Sequence, residues 1–320
     1  MEKTFVGIDV GGTTVKLGIV DSNGELLRKT EIPSPADEGG EEGIRLMGKA
    51  ARRLAEASGT PWEQVAGVGL GLPGFLDIPS GKILRLTNIP WENVPVKEVL
   101  EEELNVPVAI DNDANAAALG EAWSGAGRGL TDLICITLGT GVGGGVITGG
   151  RLVHGLSGAA GEIGHIQVEE GGALCGCGKR GCVETVASAT GMVRLAKEAV
   201  ASDSESQLAP KAKDGSLSAR DIFAASEAGD ETAREVIETA MDALGRMMSV
   251  LSVITNPAAF IVGGGVSRAG ELLFAPLRRA YEKYTLSFAA DGVQILPARL
   301  GNDAGVIGAA GLTAEREILR

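Results

Sequence analysis

Three of the chain's four cysteines, Cys175, Cys177 and Cys182, fall within eight positions, and His165, one of only two histidines, stands ten residues before the first of them. Thiolate sulfur and imidazole nitrogen are donors that zinc favours, and four of them complete a closed tetrahedral shell. Such a site is structural, since a catalytic zinc keeps one position open. Glycines between the cysteines allow the backbone to wrap a small ion. Two other readings compete. A redox pair wants C-x-x-C, whereas the spacings are C-x-C and C-x-x-x-x-C. A disulfide wants an oxidising compartment, and "TFVGIDVGGTT" near the start has neither the charged nor the apolar region of a secretory signal. Cys135, inside the apolar run "LICITL", reads as core, and His154, with no motif around it, as structural.

A second cluster is acidic. "VPVAIDNDANAAALGEA" sets Asp111, Asn112 and Asp113 where an apolar strand gives way to a helix. Asp and Asn are preferred helix caps, but a carboxylate can also take a proton from a hydroxyl, although a helix N-terminus makes it a weak base. The residues leave both roles open. Three Gly-rich turns follow apolar runs: Gly11-Gly12-Thr13, Gly139-Thr140-Gly141 and Gly263-Gly264-Gly265. Glycine lets backbone N–H groups approach a polyanion, yet it is also the default turn residue. The dinucleotide pattern G-x-G-x-x-G occurs at Gly69, Gly71, Gly74 and at Gly139, Gly141, Gly144, but neither "FLDI" nor "VIT" after it opens a helix. No G-x-x-x-x-G-K-[ST] is present.

The elements that must position these residues alternate. "FVGIDV", "VKLGIV" and "ELLRKTEI" read as strands, "EEGIRLMGKAARRLAEAS" as an amphipathic helix, "VAGVGLGLPG" as a buried strand, "VKEVLEEEL" as a helix and "VPVAIDND" as a strand. "LICITLGTGVGGGVIT" then repeats the strand–turn–strand grammar of residues 5–20. The pattern predicts an α/β protein with a duplicated hairpin. We place one domain over residues 1–112 and a larger one over 113–320, with a last helix, about 303–320, packing back on the first. "ETAREVIETAMDALGRMMSVLSVIT" reads as a long helix, "AAFIVGGGVS" as a late strand and "SDSESQLAPKAKDGS" as a polar surface loop.

Taken in order, "GIDVGGTTVKLGIV", "TLGTGVGGGVI" and "IVGGGVS" resemble the two phosphate loops and the adenosine loop of the hexokinase–actin–heat-shock ATPase fold. That resemblance implies two ribonuclease H-like domains holding MgATP, with Asp9 positioning Mg2+ through water. Within that superfamily, Glu162-Ile-Gly-His165 followed by Cys175-Gly-Cys177-Gly-Lys-Arg-Gly-Cys182-Val-Glu184 resembles the zinc signature of the ROK family of repressors and sugar kinases. The likeness runs from Gly7 to "GNDAGVIGAAGL". It implies Zn2+ on His165, Cys175, Cys177 and Cys182, and Asp113 as the base that accepts the sugar hydroxyl's proton. It also implies sugar contacts from Asn88, Asn112, Asp113, Glu162, His165 and Glu184. The nucleotide would lie on Asp9, Gly11, Gly12, Thr13, Gly139, Thr140, Gly141, Gly263, Gly264 and Gly265. The activity expected is ATP-dependent phosphorylation of glucose at its 6-hydroxyl, in a homodimer or homotetramer. A kinase for fructose, mannose or an N-acetylhexosamine is the nearest alternative, and a non-catalytic sugar sensor another. The family's repressors carry a helix-turn-helix before the kinase-like part; with the first loop at Gly11, a kinase rather than a repressor is expected.

Composition narrows the partners. A formal net charge of −13, with no stripe of Lys and Arg, argues against a nucleic-acid surface. No apolar run reaches the ~20 residues that span a bilayer, so a cytoplasmic protein is expected.

Overall fold

The computed structural model describes residues 3–201 and 205–314. The chain divides into two compact units, the first formed by residues 1–135, 145–161 and 298–320 and the second by 136–144 and 162–297.

Unit 1 is built on β1 (Thr4–Val10), β2 (Thr14–Asp21), β3 (Leu26–Pro33), β4 (Val65–Leu72) and β8 (Val108–Asn112), in the order β3-β2-β1-β4-β8. β1 pairs antiparallel with β2 and parallel with β4, which pairs parallel with β8. This is the ribonuclease H-like order. Central β1 is apolar on both faces because both are covered. Helices α1 (Gly40–Ser58) and α2 (Val96–Leu104) bury Ile44, Met47, Ala51, Val99 and Leu100 in the same core. A small antiparallel sheet, β5 (Gly74–Asp77), β6 (Lys82–Leu86) and β7 (Glu92–Val94), sits between β4 and α2 in sequence. Helix α3 (Asp113–Trp123) follows β8 directly.

The second sheet repeats the pattern, with β9 (Leu133–Leu138), β10 (Val142–Thr148), β11 (Arg151–Leu152), β12 (Ala259–Gly263) and β13 (Gln294–Pro297) in the order β11-β10-β9-β12-β13. Unit 2 carries the helices α4 (Glu184–Ala187), α5 (Ala189–Val200), α6 (Ala209–Asp214), α7 (Ala219–Glu227), α8 (Glu231–Thr255), α9 (Glu271–Tyr284) and α10 (Ser287–Ala290). The stretch expected to be a polar surface loop therefore contains a short helix, α6, with Pro210 in its first turn and Gly215 as its left-handed cap. Its residues 202–204 lie outside the described ones.

Helix α11 (Ala304–Gly311) packs in unit 1, as does α3. The contact is backbone-close. A Cβ on Gly7 or Gly69 would lie 1.8 Å from the carbonyl oxygens of Val306 and Ala309, and one on Gly308 would lie 1.6 Å from that of Ala116. Only glycine permits α11 to lie so near β1, β4 and α3. Buried Glu121, in α3, secures the approach to α11 by accepting backbone N–H groups of Ala126, Arg299 and Leu300 at 2.8–3.1 Å. Residues 315–320 of the expected final helix lie outside the described residues.

Candidate functional site

In unit 1 the acidic cluster straddles the end of β8 and the start of α3. Asn112 is the N-cap, its Oδ1 accepting the Ala114 N–H at 2.8 Å. Asp113 is exposed at the first helical position, and its Oδ1 also accepts from Ala114 N–H, at 2.9 Å. The capping role thus falls on Asn112, and the Asp113 carboxylate faces outward. The loop "GLPGFLD" lies beside it, since a Cβ on Gly71 would come 3.6 Å from Asp113 Cα. The β1–β2 hairpin turn holds Gly11, Gly12 and Thr13, closed by Gly11 N–H donating to Thr14 O at 3.0 Å. A Cβ on Gly12 would lie 3.1 Å from Cβ of exposed Asn88, so a nucleotide candidate and a sugar candidate are neighbours. Asp9, at the end of β1, has Lys16 Nζ at 3.8 Å. Burial pushes its carboxyl above the ordinary value, against the lowering effect of Lys16. A cation would favour the ionised form there.

In unit 2 the turn Gly139-Thr140-Gly141 joins β9 to β10 and is tied to the start of α5. Ala189 N–H donates to Gly139 O at 2.9 Å, and Thr190 Oγ1 donates to Thr140 O at 2.7 Å. Gly264 has φ of +87°, and a Cβ on it would lie 2.3 Å from Leu138 O. Glycine is required on both counts, and the third glycine turn is thereby pressed against the second. Together they open onto a cavity of ≈ 620 Å³ lined by Gly139, Thr140, Ala189, Phe223, Gly265 and Val266, among others. Its far wall is α7, a helix the sequence reading left without a role; Ser218 starts it with a full capping box to Asp221. A mostly apolar chamber beside two glycine turns suits a nucleoside with its phosphates at the turns.

The four zinc candidates converge in the same unit. Cys175 Sγ lies 3.5 Å from His165 Nδ1, Cys177 Sγ lies 3.7 Å from Cys182 Sγ, and all four donor atoms lie within 4.8 Å of one another. A tetrahedral ion with Zn–S of ~2.3 Å and Zn–N of ~2.0 Å separates S from S by ~3.8 Å and S from N by ~3.5 Å. The donor set fits. Cys175, Cys177 and Cys182 form no disulfide. Burial pushes the Cys175 and Cys182 thiols up, while the Lys179 N–H draws Cys177 down. A bound dication would deprotonate all three.

Glu184 joins this cluster to the glycine turn between β9 and β10. Its Oε2 accepts Val142 N–H at 3.1 Å, and its Oε1 lies 3.5 Å from Cys175 Sγ. Since His165 turns Nδ1 to the cysteines, Nε2 points the other way, 3.8 Å from Glu162 Oε2. Glu162, His165 and Glu184 are thus grouped around the cysteine loop. A larger cavity, ≈ 710 Å³ on the α8–α9 face, touches none of the candidate residues, and its charges pair with one another, as in Arg279–Glu238 and Lys283–Asp242.

His154, read from sequence as structural and without a partner motif, has one: its Nε2 lies 2.6 Å from Asp111 Oδ2. The two residues are 43 apart in sequence, so no local pattern pairs them. Among the described residues no helix is long and apolar enough to cross a membrane.

Comparison with known proteins agrees with the arrangement. The chain is 46% identical over 318 residues to the glucokinase of Halalkalibacterium halodurans, covering 99% of this chain and 96% of that protein. It is 38% identical to the glucokinase of Thermotoga maritima, covering 98% of each. A ROK family glucokinase from Streptomyces griseus, solved with glucose and AMPPNP, superimposes with a TM-score of 0.78 at 37% identity, over 97% of this chain and 98% of that one. The ROK family model itself matches residues 5–316. With the match spanning almost the whole sequence, and with its cysteines and carboxylates gathered as described, the chain belongs to the ROK family.

Proposed function

We propose that the protein is an ATP-dependent glucokinase. The observation that carries the reading is Glu184, held at once by the phosphate turn at Val142 and by the cysteine cluster at Cys175, where a sugar-binding acid meets a nucleotide loop. In this reading Asn88, Asn112, Asp113, Glu162, His165 and Glu184 receive the hydroxyls of glucose. Such side chains each make two hydrogen bonds and so can read a polyol. The phosphates of ATP lie on the turns at Gly11–Thr13 and Gly139–Gly141, and its nucleoside lies against Gly263–Gly265 and Phe223. Asp9 would hold Mg2+, which would supply neutralisation of charge on the transferring group.

The oxygen of the 6-hydroxyl forms a bond to the γ-phosphorus as the bond from phosphorus to the β,γ-bridging oxygen breaks, and ADP leaves. The hydroxyl proton passes to a carboxylate oxygen of Asp113. A weak base suffices, because phosphoryl transfer depends mainly on positioning and charge stabilisation. His165, Cys175, Cys177 and Cys182 would hold Zn2+, which with four protein ligands would serve a structural role. With the metal bound, His165 would be left with Nε2 as the N–H that can donate to sugar. The protein works in the cytoplasm as a homodimer or homotetramer.

The decisive assay is ADP release from purified protein with MgATP and a panel of sugars. Glucose should give the highest kcat/KM. A preference for N-acetylmannosamine or fructose would move the substrate, and no sugar-dependent release would make the chain a sensor.

A further inference from the structure

We propose that His154 is a positioning residue for Asp113, acting through the buried carboxylate of Asp111. This rests on the reading of Asp113 as the base. Asp111 is 2% exposed, and among the described residues no lysine or arginine pairs with it. A buried carboxylate needs donors, and Asp111 has three. Its Oδ1 accepts the Asn112 N–H at 2.7 Å and the Asn115 Nδ2–H at 2.8 Å, and its Oδ2 faces His154 Nε2 at 2.6 Å. Opposite an ionised carboxylate at that distance, the imidazole nitrogen is the donor.

These bonds bracket Asp113. Asn112 precedes it, and Asn115 sits two residues on in the first turn of α3. Among the described residues the Asn115 Oδ1 is buried without a partner, and Asp111 is the side chain that anchors Asn115. The Asp111 carboxylate therefore fixes the backbone before Asp113 and the helical turn after it. Its outer oxygen is held by His154, which lines a ≈ 140 Å³ cavity together with Asp111 and Lys97. His154 also begins a loop, closed by Ala160 N–H donating to His154 O at 3.1 Å, which runs on to Glu162. One residue thus meets the base segment through its imidazole and closes, through its backbone carbonyl, the loop leading to a sugar-binding acid.

The test is a pair of substitutions. In His154→Gln the amide nitrogen reaches the place of Nε2, whereas in His154→Asn it falls a methylene short. kcat is normalised to glucose-binding sites counted by calorimetry, so a misfolded fraction does not register as lost catalysis. His154→Asn should lower kcat ~10- to 100-fold, the effect of misplacing a reacting group by about 1 Å. Glucose Kd and KM for ATP should change by no more than about twofold, and His154→Gln should recover most of the wild-type kcat. Equal kcat in the two variants, or wild-type kcat in His154→Asn, overturns the proposal. Asp113→Asn run in parallel separates the layers. If it is disabled while His154→Asn is not, only the positioning role falls. If Asp113→Asn keeps its kcat, the base assignment falls and the positioning role with it.

Discussion

Gly141→Ala tests whether the phosphate turn and the sugar acid are one device. Gly141 is not among the residues with positive φ, so alanine adds no backbone strain. Its Cβ, however, would stand 2.3 Å from Glu184 Oε2 and 3.2 Å from Cδ. An ordinary carbon–oxygen contact is ~3.4 Å, so the carboxylate must retreat by ~1 Å, a move a flexible side chain can make. The retreat gives up the 3.1 Å bond from Val142 N–H. A hydrogen bond to a charged group is worth ~1.5–3 kcal/mol, which at 1.4 kcal/mol per tenfold corresponds to ~10- to 100-fold. Glu184 is partly exposed, and solvent offsets some of this loss. We expect KM for glucose to rise about tenfold, with a smaller rise for ATP because the turn's backbone is retained. Steady-state ADP release with each substrate varied in turn measures both. A protein that is folded by circular dichroism, with unchanged KM for glucose and raised KM for ATP, would refute the coupling and leave Glu184 outside the sugar site.

Cys177→Ser removes a thiolate from the four-donor cluster; elemental analysis should find zinc lost, and KM for glucose should rise far more than KM for ATP. Loss of metal with normal glucose binding would make the ion a remote staple. Phe223→Ala should raise KM for ATP ~10-fold by removing an apolar wall of the nucleoside cavity, while KM for glucose stays put. Glu121→Ala leaves three backbone N–H groups without their acceptor, and urea unfolding should show a loss of about 3 kcal/mol. A loss under about 1 kcal/mol would mean that water replaces the carboxylate there.

Much was legible in the sequence because it was local. The strands "FVGIDV" and "VKLGIV", with their Gly-rich turn, carry alternation, apolar runs and turn chemistry within a dozen residues, and β1 and β2 form there. The cysteine ligands are close in sequence, so a short loop brings them together with little entropy to overcome. The D-N-D stretch was placed at a strand–helix junction, but not which residue capped it. That was decided by side-chain geometry, with Asn112 turned inward to the Ala114 N–H and Asp113 outward.

What the sequence by itself determined is the inventory: an α/β chain with a duplicated hairpin, four His and Cys donors of the kind a metal takes, three glycine turns and a carboxylate at a helix start. Only the tertiary structure decided the pairings between distant residues. Glu184 meets Val142 across 42 positions, His154 meets Asp111 across 43, and Glu121 receives Leu300 across 179. Helix α7 likewise becomes the wall of the cavity proposed for the nucleoside only where α5 and the glycine turns fold against it. The physical reason is that propensity and periodicity act over a turn or a strand pair. Which buried carboxylate meets which donor is set by packing of the whole unit, where an unpaired charge is too costly to leave.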